Sequence, residues 1–138
     1  MISASEVASV LGGKATLHKR VQSTYELMDL IEHGLPKESV RKIIPILGHT
    51  EDIYQYIPEG TYKKRKKFTP AESEILERLA RIIATALHVF QSEEQAKIYL
   101  HAPNPVLLGR TPLDFARTEL GARQVEESLW QIYYGIPI

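Results

Sequence analysis

The chain has 138 residues, 17 Lys/Arg and 17 Asp/Glu, so its formal net charge is zero; a uniformly basic nucleic-acid coat and an acidic solvating tail are both excluded. Apolar residues make up 43% and charged residues 25%, the balance of a soluble globular chain of one domain or two very small ones. Cysteine is absent, which excludes disulfides, thiolate metal sites and cysteine catalysis, and no apolar run approaches the ~20 residues a membrane-spanning helix needs. The first residues, MISASEVASVLGGK, lack a basic leader region, so a cytoplasmic protein is expected.

Helix signals follow one another along the chain. Ser3 and Glu6 form a capping box that opens a short helix, and Gly12-Gly13 stops it. Ser23 and Glu26 form a second box; Leu27, Leu30 and Ile31 then give one apolar stripe, ended by Gly34. Pro36 suits a first helical position, and Val40, Ile43, Ile44 and Leu47 predict a helix over 36–47, interrupted or kinked at Pro45 and closed by Gly48. Thr50 is placed to cap a short helix over 51–57, and residues 59–67 are expected to add one or two cationic turns.

A second block begins at Thr69-Pro70-Ala71-Glu72, which combines an N-cap, a proline at the first helical position and an acid at the third. Ile75, Leu79, Ile82, Ile83, Ala86 and Phe90 predict a long helix buried along a broad face. Ser92 opens the next helix, and Pro103 ends it. Residues 104–109 read as a turn-rich connector, and Thr111-Pro112-Leu113-Asp114 repeats the cap-proline-acid start. A last helix is expected from about Ala122 to Tyr134, with Val125, Leu129 and Ile132 on one face and close helix packing at Gly121. With no sustained alternation of period two and no repeat, the expected class is all-α, divided at residues 67/68.

Residues 1–67 carry 11 Lys/Arg against 8 Asp/Glu, whereas residues 68–138 carry 6 against 9. The excess concentrates in Lys63, Lys64, Arg65, Lys66 and Lys67, which is either a solvated linker or a surface for an anion. Short helices leading into this stretch have the organisation of a helix-turn-helix unit, with Thr61 to Lys67 supplying contacts to DNA: lysines to phosphate, arginine to phosphate or guanine.

No catalytic constellation stands out. His18, His33, His49, His88 and His101 form no i, i+3 or i+4 pair, and His88 and His101 read as structural or surface residues; a hydrolase built on either is a remote third reading. No phosphate-cradling glycine loop and no nucleophile elbow is present, so no metal, cofactor or enzyme activity is expected. The C-terminus is heavy in apolar mass: Trp130, Tyr133, Tyr134, Gly135 and the tail Ile136-Pro137-Ile138. Neighbouring helical positions diverge by about 100°, so one of the two tyrosines is expected to face the core and the other solvent. The cluster either folds back onto its own core or anchors a partner.

The second block resembles the C-terminal domain of the Xre/MbcA/ParS antitoxins. The resemblance runs through Leu79-Ala80-Arg81, Ala86, Val89-Phe90, Ala96, Tyr99-Leu100, Pro103-Asn104, Leu107-x-Gly109, Thr111-Pro112-Leu113-Asp114, Thr118, Gly121-Ala122, Val125, Leu129 and Tyr134-Gly135. The first block is similar to the family's Xre-type helix-turn-helix domain, with Gly60 to Arg65 standing where the family has Arg-Thr-Leu-x-Arg-Arg. Gly60, Tyr62, Lys64 and Tyr99 depart from the usual Arg, Leu, Arg and Trp. The resemblance implies a non-enzymatic binding protein with an Xre-like DNA-binding domain over 1–67 and a toxin-binding domain over 68–138. Its implied partners are a RES-domain, NAD-consuming toxin whose nucleotide pocket it covers, and operator double-stranded DNA through which it represses its own operon. It also implies a homodimer within a larger toxin–antitoxin assembly. On residues 130–138 the toxin contact is expected at Trp130, Tyr133, Tyr134, Gly135, Ile136, Pro137 and Ile138, and the DNA contact at Thr61, Tyr62, Lys63, Lys64, Arg65, Lys66 and Lys67. The alternative is a stand-alone dimeric helix-turn-helix regulator.

Overall fold

A computed structural model describes residues 1–135, and the tail residues Ile136, Pro137 and Ile138 lie outside the described part. The fold is all-α: α1 (Ala4–Val10), α2 (Gly13–Leu17), α3 (Thr24–His33), a 3-10 turn (Lys37–Val40), α4 (Ile43–Leu47), a 3-10 turn (Thr50–Gln55), α5 (Glu59–Lys64), α6 (Pro70–Phe90), α7 (Glu93–His101), a 3-10 turn (Pro105–Leu107), α8 (Pro112–Phe115) and α9 (Glu119–Tyr133). Among the described residues, extended pairing is confined to two isolated bridges, Pro36 with Lys67 and Asn104 with Arg110.

The helix starts obey their caps. Ser3 and Thr69 close complete capping boxes with Glu6 and Glu72, and Ser23, Ser92, Thr111 and Thr118 each accept a backbone N–H of the first turn. Thr118 moves the start of α9 upstream of the expected Ala122. A Cβ at Gly121 would collide with the carbonyl of Phe115, so the corner between α8 and α9 closes only around glycine, in line with the close packing expected there.

The helix expected over 36–47 is divided. Pro36 is extended, at φ −68° and ψ 153°, and lies before the first turn rather than in it. It is held by an antiparallel pairing in which Lys37 N donates to the Lys66 carbonyl (3.1 Å) and Phe68 N to the Leu35 carbonyl (2.8 Å). Pro45 explains why regular helix resumes only at Ile43: it has no N–H for the carbonyl four residues back, a loss that only a first turn tolerates. Residues 50–55 likewise form a 3-10 turn instead of the expected α-helix over 51–57.

The 21-residue α6 is the spine, and α1, α3, α7 and α9 all pack on it, as does α4. Leu76, Leu79, Ala80, Ile82, Ile83 and Ala86 are all at most 1% exposed, which requires neighbours on more than one side of the helix. Elements from both ends of the chain supply them, so one apolar cluster runs from Val7 to Leu129. Ser73 of α6 is fully buried and is satisfied by the backbone N–H of Leu35 at 2.8 Å.

Candidate functional site

Two surface regions collect the residues singled out in the sequence. The first is the C-terminal end of α9. Its inner stripe, Ala122, Val125 and Leu129, is fully buried against α6, and this fixes the rotation of the helix. Ser128 is also buried and accepts a hydrogen bond from the Tyr99 hydroxyl of α7 at 3.2 Å. Beyond Leu129 the stripe runs out of partners: Ile132 is 38% exposed, Tyr133 48% and Tyr134 66%. The expectation that one tyrosine faces the core is therefore not met. Tyr134 is no longer helical but caps α9, and both rings lie outside.

These rings pack on one another instead. Trp130 and Tyr133 meet edge to face at 5.4 Å and Tyr133 and Tyr134 at 5.1 Å, while Trp130 and Tyr134 lie tilted at 6.1 Å. The His88 ring of α6 supports them from behind, 5.4 Å from Trp130 and 5.3 Å from Tyr133. His88 is itself held by Glu6 of α1, whose Oε2 lies 2.9 Å from Nδ1. Partial burial pushes the Glu6 carboxyl up, but its bonds to His88 and Ser3 outweigh this and hold it below its ordinary value. The aromatic end is thus braced by α6 and α1, while among the described residues nothing covers its outer faces.

The second region is the basic stretch. α5 carries Thr61 to Lys64 and ends at Arg65, whose backbone is extended. Tyr62 turns inward, 8% exposed, edge-on to Tyr54 and stacked on Phe68, with the Lys37 ammonium 4.5 Å above its ring. Its ring belongs to the core and is not presented to a ligand. Arg65 makes a two-pronged bond to Glu72 of α6, Nε at 2.8 Å and Nη2 at 2.9 Å, and this bond holds the Glu72 carboxyl below its ordinary value. Lys63 pairs with Glu59 at 3.3 Å on the surface of α5. Thr61 is partly exposed, and Lys63, Lys64, Lys66 and Lys67 are exposed, so four lysines of the run stay at the surface while Tyr62 and Arg65 are drawn toward the fold.

A feature that spacing only hinted at joins α6 to α9. Arg81 bonds Glu77 (3.0 Å), Glu119 (2.8 Å) and Glu126 (2.6 Å). The Glu77–Arg81 pair has the i, i+4 spacing that sequence can show; the other two partners are tertiary. Burial raises the carboxyls of Glu77 and Glu126, and Arg81 opposes that rise. A cleft of about 480 Å³ between the 50–55 turn and α7–α8 is lined by His49, Asp52, Tyr56, Lys97, His101 and Asp114. There His101 is tied through Nε2 to the Ile46 carbonyl at 2.8 Å, and Tyr56 donates to the Leu113 carbonyl at 2.8 Å. Among the described residues no group of three or more His, Asp or Glu is placed to hold a metal ion, and no helix is long and apolar enough to cross a membrane.

Residues 85–135, from the last turns of α6 to just past the end of α9, match the antitoxin Xre/MbcA/ParS C-terminal toxin-binding domain. This segment is similar to the toxin-binding domain of the Xre/MbcA/ParS antitoxins. An independent comparison agrees: the chain is 40% identical over 85 residues to "Antitoxin Xre" of Pseudomonas putida, a match covering 59% of this chain and 54% of that protein. The match thus spans about half the length of the relative. The antitoxin segment contains both the exposed rings of α9 and the His88 that braces them.

Proposed function

We propose that this chain is the antitoxin of a toxin–antitoxin pair, and that it neutralises a RES-domain, NAD-consuming toxin by seating its aromatic C-terminal end in the toxin's nucleotide cleft. One observation carries the reading: inside the antitoxin-like segment, Trp130, Tyr133 and Tyr134 form a braced cluster whose outer faces are bare among the described residues. Rigid aromatic side chains lose little entropy on binding and fill apolar pockets well, the signature of an interface hot spot. Gly135, Ile136, Pro137 and Ile138, next in the sequence, are assigned to the same toxin contact. No group in the cluster is placed as a nucleophile, so inhibition is by occupancy.

The same protein binds operator DNA through Thr61, Lys63, Lys64, Lys66 and Lys67 and represses its own operon, as a homodimer within the toxin–antitoxin assembly. Exposed lysines supply phosphate contacts, which position a protein on a duplex. The decisive experiment asks whether a RES-domain protein is encoded beside this chain and pairs the two. Tyr133→Ala/Tyr134→Ala, and separately deletion of residues 135–138, are expected to abolish rescue of growth and of cellular NAD while leaving the far-ultraviolet circular dichroism unchanged. Full protection by both variants overturns the plug. For the DNA arm, affinity falls with salt by about 0.9 log units per log unit of salt for each phosphate neutralised; a flat response removes the exposed lysines from the reading.

A further inference from the structure

The loop after α7 is built more tightly than a connector needs. Asn104 N donates to the Arg110 carbonyl at 3.0 Å, the Asn104 carbonyl accepts from Leu107 N and Gly109 N at 2.9 Å each, and Arg110 N donates to the Leu107 carbonyl at 3.1 Å. The Asn104 side chain adds a bond from Val106 N at 2.9 Å. Leu107 anchors the loop in the core at 1% exposure. On either side of it Val106 is 49% and Leu108 81% exposed.

Leu108 is the anomaly. Its backbone is left-handed, at φ 59° and ψ 28°, a region that disfavours L side chains and favours Gly or Asn. Among the described residues three non-glycines have positive φ, and each ends a helical turn: His18 and Gln91 are polar, whereas Leu108 is apolar and holds its side chain out in water. A strained conformation, fixed by five hydrogen bonds and presenting an apolar side chain that contacts little of its own fold, is the mark of a binding feature rather than of folding.

The loop is continuous with the aromatic end. Its 3-10 turn packs on α9, and the Tyr99 hydroxyl of α7, the helix that leads into the loop, bonds Ser128, two residues before Trp130. The whole loop lies inside the segment that matches the toxin-binding domain. We propose that Val106 and Leu108 form a second, preorganised contact to the toxin, with the Leu108 side chain entering an apolar socket on the toxin surface outside the nucleotide cleft. This inference rests on the antitoxin reading above. It assigns to the loop the choice of toxin, while the aromatic end blocks the pocket.

The left-handed backbone gives a clean test, because asparagine accepts that conformation better than leucine does. Full-length Leu108→Asn is compared with the parent chain for binding to a purified RES-domain protein encoded beside it, by calorimetry, with thermal melting and light-scattering mass in parallel. The expected result is an affinity at least tenfold weaker, with the melting midpoint unchanged or raised and the oligomeric mass unchanged. Val106→Asn, at a position with ordinary backbone, is expected to weaken binding in the same direction. Binding by Leu108→Asn within twofold of the parent overturns the socket while leaving the plug standing. A change in oligomeric mass with unchanged toxin affinity overturns it in favour of a self-contact. A parent chain that does not bind the toxin at all sinks the antitoxin reading and this inference with it.

Discussion

The aromatic end of α9 and the basic stretch around α5 were the two conspicuous features of the sequence, and the structure treats them differently. The basic stretch is partly consumed by folding: Tyr62 is in the core, Arg65 is bonded to Glu72, and Lys63 is paired with Glu59. The aromatic end is braced from behind by His88 and Glu6 but, among the described residues, covered by nothing in front. Exposed lysines are comfortable in water and need no partner, so a lysine run by itself says little. A contiguous group of exposed rings loses favourable burial, so it says more about what the molecule meets. The contrast ranks the two: the toxin-facing reading stands on the stronger physical signal, and the DNA-facing one on the weaker.

Both regions hang on α6, and the largest expected effect breaks both together. Ile83 is 1% exposed and faces a cleft shared with Val10 of α1 and Ile46 of α4. Ile83→Ala removes buried apolar atoms from this packing and is expected to destabilise by about 2–5 kcal/mol. Trp130, the single tryptophan, reports the aromatic end by fluorescence, and far-ultraviolet circular dichroism reports all helices. With α6 as a shared spine the two unfolding curves coincide and shift together. Separate transitions, with the tryptophan signal lost first, would show that the halves divided at residues 67/68 fold independently.

A smaller effect separates the two regions. Arg81 fixes the approach of α9 to α6 through Glu119 and Glu126, far from the lysine run. Arg81→Met leaves Glu77 and Glu126, whose side chains are 16% and 19% exposed, without their counter-charge. A fully buried pair broken in this way costs ~3–5 kcal/mol; with this residual exposure we expect about 2 kcal/mol. The sign with pH follows from burial. Both carboxyls titrate above their ordinary value in the folded chain, so folding takes up protons between the ordinary and the raised values. The penalty is full at neutral pH and fades as pH falls through that window. Chemical denaturation of variant and parent at neutral and mildly acid pH should show the gap narrowing; a gap that widens on acidification refutes the burial argument. DNA affinity is expected to remain unchanged.

Most of the helices were legible because their signals are local. Ser3 with Glu6 and Thr69 with Glu72 sit three residues apart, and each pair caps the helix it announces. Gly121 was legible as a packing position for the same reason: the carbonyl it accommodates is six residues away. What sequence could not show depends on distant partners. Pro36 is extended because it pairs with Lys67, and Tyr62 is inside because Phe68 returns to stack on it after that pairing. Both tyrosines of α9 are exposed because the helix ends one residue before Tyr134, where the 100° rule no longer applies. His88 meets Glu6 across 82 residues of sequence. Leu108 was invisible for the opposite reason: local preference argues against leucine in that conformation, and only the closed loop around it imposes one.

The smallest expected effect concerns how far Arg65 is committed to the fold. Glu72→Gln keeps the N3 position of α6 able to cap, since an amide oxygen also accepts the Thr69 N–H, but it removes the charge that holds Arg65. The Glu72 carboxyl titrates below its ordinary value because Arg65 bonds its charged form, so its contribution is present at neutral pH and lost as pH falls through the lowered value. Glu72→Gln should therefore melt slightly below the parent at neutral pH and together with it in strong acid. The DNA measurement sharpens the contrast between the two regions. If the freed guanidinium reaches a phosphate, the salt slope of DNA binding steepens by about 0.9; if the slope is unchanged while stability drops, Arg65 serves the fold alone and DNA contact is left to the lysines.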